Sequence, residues 1–127
     1  GTVSKPIMRA IDSTTAVVVN ERGILNSDTV GINLINTSSV STSTYTLTNS
    51  DYYIGVNYNG IATVNLPSGI TGREYVIKDE SGALNGTTRT IVVSAAGTNT
   101  IDGFSKVTLS QPYASVTLVF NNNWNII

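Results

Sequence analysis

Short apolar segments that alternate with polar residues, separated by turns rich in Gly, Asn and Asp, repeat along most of this chain. Tyr45 and Leu47 point one way and the neighbouring threonines the other, which is the period of two of a half-buried strand. No segment has the helical period of 3.6, so the pattern predicts an all-β fold. Strands at this spacing are predicted over residues 44–48, 52–58, 61–66, 74–78, 90–93, 107–109, 116–120 and 124–127.

Two dipeptides predict how some of these strands connect. Asn59 and Gly60 form a pair that suits the positive φ angles of a type I′ turn, so strands 52–58 and 61–66 are predicted to form a hairpin. Asp102 and Gly103 predict a second turn of this kind. Tight turns join antiparallel neighbours, so the sequence predicts an antiparallel β-sandwich or barrel.

The first 43 residues are less regular than the rest. An apolar run at 16–19 predicts a buried strand, and residues 31–35 are a second candidate. The polar run 38–43 is interpreted as either a surface loop or an exposed edge strand. At 127 residues the chain has the length of one domain. We therefore predict a single β-domain over 1–127, with 1–43 as N-terminal strands or a neck and 44–127 as the core strands.

Composition argues against several classes of partner. Charged residues make up 12% of the chain, against about 25% in an ordinary globular domain. The net charge of −1, without a basic cluster, argues against nucleic acid. No apolar run approaches the roughly 18 residues of a membrane span, so no membrane insertion is expected. Because the chain lacks both an initiator Met and a signal-peptide pattern, we expect it to be the carboxy-terminal part of a longer polypeptide.

The residue types exclude most catalytic machinery. Without His and Cys there is no Ser-His-Asp or Cys-His catalysis and no usual zinc site. No phosphate-binding P-loop motif occurs either. Glycoside hydrolysis needs only two carboxylates, but the acidic residues stand in turns, where capping of the backbone is the favoured interpretation. The candidates considered are Asp51, Glu74, Asp79, Glu80 and Asp102. The prediction is a protein that is not an enzyme and holds no cofactor.

Residues 79–82 together with Asn85 are a candidate cation site, because these side chains could supply oxygen ligands to calcium. The spacing does not match the calcium loop of an EF-hand. A turn that fixes strand register is the favoured interpretation, so no metal is predicted.

Exposed aromatic side chains are the candidates for ligand binding, because a tyrosine or tryptophan ring offers an apolar face and a polar tip. The candidates are Tyr53, Tyr113 and Trp124. The alternative is that these rings fill the core or a subunit interface, and this alternative is favoured for Trp124. Because neighbouring residues of a strand face opposite ways, either Tyr52 or Tyr53 is expected to face solvent or a partner chain.

The second half also contains an ordered series of motifs. It consists of YIGV at 53–56, TVNLP at 63–67, YVIKDESG at 75–82, TI at 90–91, TIDG at 100–103, VTL at 116–118 and WNII at 124–127. This series resembles a carboxy-terminal β-domain found at the ends of fibre and spike proteins of bacteriophages and large DNA viruses, virophages included. The resemblance covers about residues 45–127.

The resemblance implies a jelly-roll-like head, assembled as a homotrimer at the tip of a fibrous or collagen-like shaft on the virion surface. Its expected partners are other copies of the chain and a host-surface receptor, for which a glycan is one candidate. The alternative is a structural module that trimerises or decorates a capsid without a receptor of its own. A polysaccharide depolymerase of the tailspike type is less favoured, because the sequence has no repeating solenoid period.

Overall fold

Nine short strands form the regular secondary structure of residues 34–127, the part of the chain that the computed structural model describes. No helix in this part of the chain is long and apolar enough to cross a membrane. The prediction of an all-β fold is confirmed for these residues. The strands are β1 (Thr37–Val40), β2 (Thr44–Thr46), β3 (Tyr53–Val56), β4 (Ile61–Asn65), β5 (Glu74–Asp79), β6 (Thr90–Ser94), β7 (Lys106–Leu109), β8 (Ser115–Asn121) and β9 (Asn123–Ile126).

The chain passes back and forth between two sheets. Strands β1, β3, β5, β8 and β9 form a five-stranded sheet in that order, and β2, β4, β6 and β7 form a four-stranded sheet. Up to β6, successive strands therefore belong to alternate sheets. Buried side chains from both sheets make one continuous core, so the arrangement is sandwich-like.

Most of the early strands are parallel. β1, β3 and β5 pair in parallel, and so do β2, β4 and β6. Among the described strands, antiparallel pairing joins β5 to β8, β8 to β9 and β6 to β7. The prediction of antiparallel pairing is therefore wrong for the pairs among β1 to β6 and correct for the three pairs that involve β7, β8 and β9. The physical reason is that side chains alternate across the sheet in both kinds of ladder, so alternation does not report strand direction. The jelly-roll-like form stays a prediction.

The two predicted turns have opposite outcomes. The hairpin at Asn59 and Gly60 is wrong, because β3 and β4 lie in different sheets and the turn carries the chain across the core. The turn at Asp102 and Gly103 is confirmed. Their φ angles are 47° and 89°, as a type I′ turn requires. The backbone N–H groups of Ile101 and Phe104 each donate to the other residue's carbonyl, at 2.6 and 2.9 Å.

Alternation correctly predicted which side chains form the core. Along β4, β5 and β8, every second residue is buried. Three aromatic rings pack together in this core: the Trp124 ring centroid lies 5.6 Å from that of Tyr75 and 5.1 Å from that of Phe120. Burial of each large apolar side chain contributes about 1.5–3 kcal/mol to folding, so the shared core is what joins the two sheets.

The amino-terminal predictions are tested only in part. β1 is an edge strand, so for Ser38 to Val40 the edge-strand alternative is the correct one, while the residues between Val40 and Thr44 connect β1 to β2. The strand predicted at 16–19 lies outside the described residues. Of the candidate at 31–35, only Leu34 and Ile35 are described, and neither belongs to a strand.

Candidate functional site

The turn that follows β5 is organised by one buried carboxylate. Asp79 is only 1% exposed, and it accepts hydrogen bonds from the backbone N–H groups of Ser81 at 3.0 Å and Gly82 at 3.1 Å. The Ser81 hydroxyl donates to it at 2.6 Å. The backbone N–H of Tyr113, which lies just before β8, donates at 2.9 Å. Asp79 therefore closes its own turn and ties it to a second loop.

The negative charge of Asp79 strengthens the hydrogen bonds that hold this turn. Burial acts to raise the pKa of the carboxyl group, but hydrogen bonds from Ser81, Tyr113 and Gly82 outweigh it and hold the pKa below its usual value. The group is therefore ionised at neutral pH and fully occupied with donors. This confirms the interpretation of residues 79–82 as a turn. Within residues 34–127, no group of three acidic side chains is placed to hold a metal ion.

Tyr113 is presented to solvent in a fixed conformation. Its φ is +63°, which is uncommon for a residue with a side chain. The ring is 62% exposed and packs on Gly82, where an added Cβ would lie 2.4 Å from the ring carbon Cζ. Lys78 Nζ lies 5.3 Å from the ring centroid and donates a hydrogen bond to the Tyr113 carbonyl. The ring is therefore held by the backbone, a glycine and a cation together.

Tyr53 lies on the same side of the five-stranded sheet. Its hydroxyl donates to Glu80 Oε2 at 2.8 Å, and this hydrogen bond to a carboxylate is the main reason that the pKa of Tyr53 is raised. Glu80 lies over Gly55, where an added Cβ would come within 2.3 Å of the Glu80 carboxyl carbon. Gly55 is the Cα partner of Lys78 across β3 and β5. We call the set Tyr53, Lys78, Glu80 and Tyr113 the tyrosine surface.

The groups of the tyrosine surface are suited to binding a polar ligand rather than to catalysing a reaction on it. It offers an exposed ring face, one ammonium group and one carboxylate. Such a set can stack on an apolar face of a ligand while donating and accepting hydrogen bonds around it. Because the cation and the anion balance, it favours a neutral ligand over a strongly charged one.

Trp124, the third aromatic candidate, lies elsewhere. It is 0% exposed, with Tyr75 and Phe120 packed against it in the core. Its indole N–H has no hydrogen-bond partner within the described part of the chain. The ring has no free face there for a ligand, which agrees with the core alternative.

The remaining carboxylates are dispersed. Asp51 is buried and accepts hydrogen bonds in the loop between β2 and β3. Glu74 accepts the Tyr52 hydroxyl at 3.0 Å, and Asp102 accepts the Ile126 N–H at 3.2 Å. For Asp51 and Asp79 the structure shows the local backbone bonds that the turn interpretation predicted, whereas Asp102 accepts its bond from Ile126, 24 residues away.

Two members of the tyrosine surface were not predicted from the sequence to bind a ligand of this kind. Glu80 is a candidate there only as a catalytic or calcium-binding carboxylate, and Lys78 is not a candidate. Two signals could have indicated them. They are two residues apart, so an extended chain places them on one face. Gly55 interrupts an apolar strand, which indicates that another group comes close to the backbone there.

No protein-family model matches the chain, and no curated protein matches its sequence. The resemblance to viral fibre heads therefore stays a prediction.

Proposed function

We propose that this chain is the head domain of a viral fibre or spike, and that it attaches the virion to a ligand on the host surface through the tyrosine surface. The observation that carries the proposal is Tyr113, an exposed ring held in a left-handed backbone conformation. Such conformations cost free energy and are enriched at binding sites. The motif series of residues 45–127 supplies the viral assignment.

The fixed geometry of Tyr113 favours binding. A ring that is already ordered loses little conformational entropy when a ligand stacks on it. Tyrosine is also among the residues that contribute most to binding energy at protein surfaces. The buried Asp79 carboxylate holds the Tyr113 backbone, so the exposed ring stands on a rigid support.

A glycan is the ligand class that suits these groups best. A sugar ring has a face of C–H groups that stacks on an aromatic ring, and hydroxyl groups that both donate and accept hydrogen bonds. Lys78 supplies donors and Glu80 supplies an acceptor within the same surface. The proposed partners are therefore a host-surface glycan or glycosylated receptor.

Self-association is the second part of the proposal. Phe104, Ile126 and Ile127 are 66%, 41% and 72% exposed, and they lie near each other at the carboxy-terminal edge of the five-stranded sheet. Exposed apolar groups of this kind favour contacts with another chain. We propose that they contribute to a homotrimer. The same observation favours the alternative of a structural module without a receptor.

Binding of the protein to a glycan array and to host cells tests the attachment role. Tyr113→Ala is expected to weaken binding by about tenfold or more, the loss typical of an interface hot spot. Ile61→Ala is the matched control, because Ile61 is exposed on β4, in the other sheet. Equal loss in both variants would contradict the proposal.

Absence of binding by the unmodified protein would favour the structural alternative. Light scattering tests self-association separately. We expect the unmodified protein to have the mass of three chains in solution, and Phe104→Ala to have a lower mass. A monomer at micromolar concentration would overturn the trimer and leave the attachment result to stand alone.

A further inference from the structure

A cleft of about 540 Å³ opens between two loops at the end of the five-stranded sheet where β3 and β5 begin. One wall is formed by residues 49–52, before β3, and the other by residues 70–74, at the start of β5. Its volume lies within the range of small-molecule sites, about 300–1,000 Å³. None of its residues belongs to the tyrosine surface. We call it the Arg73 cleft.

Both walls are fixed before any ligand arrives. The first is held by the buried Asp51, which accepts hydrogen bonds from the Thr48 N–H at 2.8 Å and from the Tyr45 hydroxyl. The second is held at Gly72, whose N–H donates to the Phe120 carbonyl at 2.9 Å and whose φ is +90°. A cleft with ordered walls loses little entropy when it binds.

Two hydrogen bonds cross the cleft and bring opposite charges to it. The Arg73 guanidinium donates to the Asn49 carbonyl. The Tyr52 hydroxyl donates to Glu74 Oε2 at 3.0 Å. A guanidinium has five N–H donors, so this one bond leaves most of them available. Glu74 likewise keeps acceptor positions on its carboxylate. Within residues 34–127, Arg73 therefore brings donors and Glu74 brings acceptors to the cleft that no protein group occupies.

This combination is complementary to a pair of neighbouring hydroxyl groups. Each hydroxyl both donates and accepts, so one can accept from Arg73 while the next donates to Glu74. A simple anion would be repelled by Glu74, and a simple cation by Arg73. Ile70, which is half-exposed, adds an apolar contact at the cleft. We propose that the Arg73 cleft binds one sugar residue of a neutral saccharide through two adjacent hydroxyl groups.

The proposal does not require the tyrosine surface to bind anything. Tyr53 follows the cleft residue Tyr52 directly, whereas Lys78, Glu80 and Tyr113 lie toward the other end of β5. The amides of residues 78–82 and 111–114 therefore report on the tyrosine surface separately from the cleft amides. A ligand that occupies both would be a longer glycan, but the cleft is defined by its own residues.

Titration of the ¹⁵N-labelled protein with methyl glycosides of glucose, galactose, mannose and N-acetylglucosamine tests the cleft. We expect at least one to shift amide resonances of residues 49–52 and 70–74, with the millimolar affinity of a small polar ligand. Arg73→Met and Glu74→Gln are each expected to weaken this binding by roughly tenfold, because each removes a charge-assisted hydrogen bond. Circular dichroism checks that both variants fold.

Arg89→Met is the matched control, since Arg89 is the other arginine of residues 34–127 and also donates a hydrogen bond across loops, to Asn59 Oδ1 at 3.2 Å. It should bind as the unmodified protein does. The inference is overturned if no glycoside shifts the cleft amides, if glycerol shifts them equally, or if both cleft variants bind unchanged. Shifts confined to residues 78–82 and 111–114 would also overturn it while supporting the tyrosine surface. If the amides of residues 49–52 and 70–74 still shift in Tyr113→Ala, ligand binding at the Arg73 cleft is supported whether or not the attachment proposal holds.

Discussion

The two proposed sites are each supported by one buried aspartate, but the aspartates use opposite sets of donors. Asp79, below the tyrosine surface, accepts three backbone N–H groups and one hydroxyl, that of Ser81. Asp51, at the Arg73 cleft, accepts one backbone N–H and three hydroxyls, those of Ser38, Tyr45 and Thr48. Their exposed fractions are similarly small, 1% and 6%.

This difference in donors decides how each loop responds when its aspartate is removed. A backbone N–H is fixed by the fold and cannot turn to find another acceptor, so its loss of a partner leaves a buried donor unsatisfied. A hydroxyl rotates about its C–O bond and can reach water when it lies near the surface. We therefore expect the Asp79 turn to be the more brittle support and the Asp51 loop the more adaptable one.

Asp79→Ala should produce the largest loss of stability. It removes the acceptor for Ser81, Gly82 and Tyr113 together, and we expect the free energy of unfolding to fall by about 3 kcal/mol. Urea denaturation followed by tryptophan fluorescence measures this. Asp102→Asn is the control, because Asp102 is exposed and Asn tolerates its positive φ, so less than about 0.5 kcal/mol should be lost. Equal losses would show that the Asp79 bonds are not what holds the turn.

Asp51→Ala should cost less, about 2 kcal/mol, because the hydroxyls of Ser38, Tyr45 and Thr48 can turn to water. The same denaturation experiment gives the comparison with Asp79→Ala. The variant should also loosen the loop at 48–52, seen as faster hydrogen exchange at those amides. A loss larger than that of Asp79→Ala would reverse the ranking of the two supports.

The hydrogen bonds of the two aspartates differ in how far they could be predicted from the sequence. The Asp79 turn itself is local, because its donors at Ser81 and Gly82 lie two and three residues away, and the turn interpretation was correct. The Tyr113 donor, 34 residues away, was not predicted. Asp51 also accepts hydrogen bonds from Ser38 and Tyr45, 13 and 6 residues earlier, so no short sequence motif predicts this network. The Arg73 cleft was missed for the same reason, since its walls come from separate loops.

The same distinction holds for the fold. Alternation identified the strands and the core, because burial of one face is a local property of each strand. Strand partners were not predictable, because Tyr53 pairs with Thr37 and with Val76, offsets of 16 and 23 residues. The loops that connect the strands differ in length, so the spacing of strands along the sequence does not indicate that successive strands alternate between sheets. The Asn59 and Gly60 turn was assigned to a hairpin because nothing local distinguishes turning back from crossing the core.

A pair of glycines compares the two sites directly. Gly82 and Gly72 have φ angles of +69° and +90°, so alanine is strained at both, at about 1 kcal/mol. An added Cβ at Gly72 meets nothing within 4 Å, whereas at Gly82 it would overlap the Tyr113 ring. Gly82→Ala should therefore cost about 1 kcal/mol more than Gly72→Ala in denaturation, the cost of displacing a packed side chain. Equal costs would show that the ring moves freely.

The smallest effect concerns the acidity of the two aspartates. Burial raises both pKa values, but the hydrogen bonds outweigh it, so both lie below the ordinary value of 3.8. A lowered pKa in the folded state means that the unfolded chain binds more protons. The associated stability is therefore present above about pH 3.8 and is lost as the pH falls through the lower folded values. Ser81→Ala and Ser38→Ala each remove a hydroxyl donor, from Asp79 and Asp51 respectively.

Each serine variant should raise the pKa of its own aspartate, as measured by carboxyl ¹³C NMR titration, and leave that of the other unchanged. The rise should be larger for Asp51 in Ser38→Ala. After Ser38→Ala, Asp51 keeps one backbone donor and two hydroxyls, which can turn away, while Asp79 keeps three fixed backbone donors after Ser81→Ala. Equal rises would mean that hydroxyl and backbone donors stabilise these carboxylates alike, and the contrast between a brittle and an adaptable support would fail.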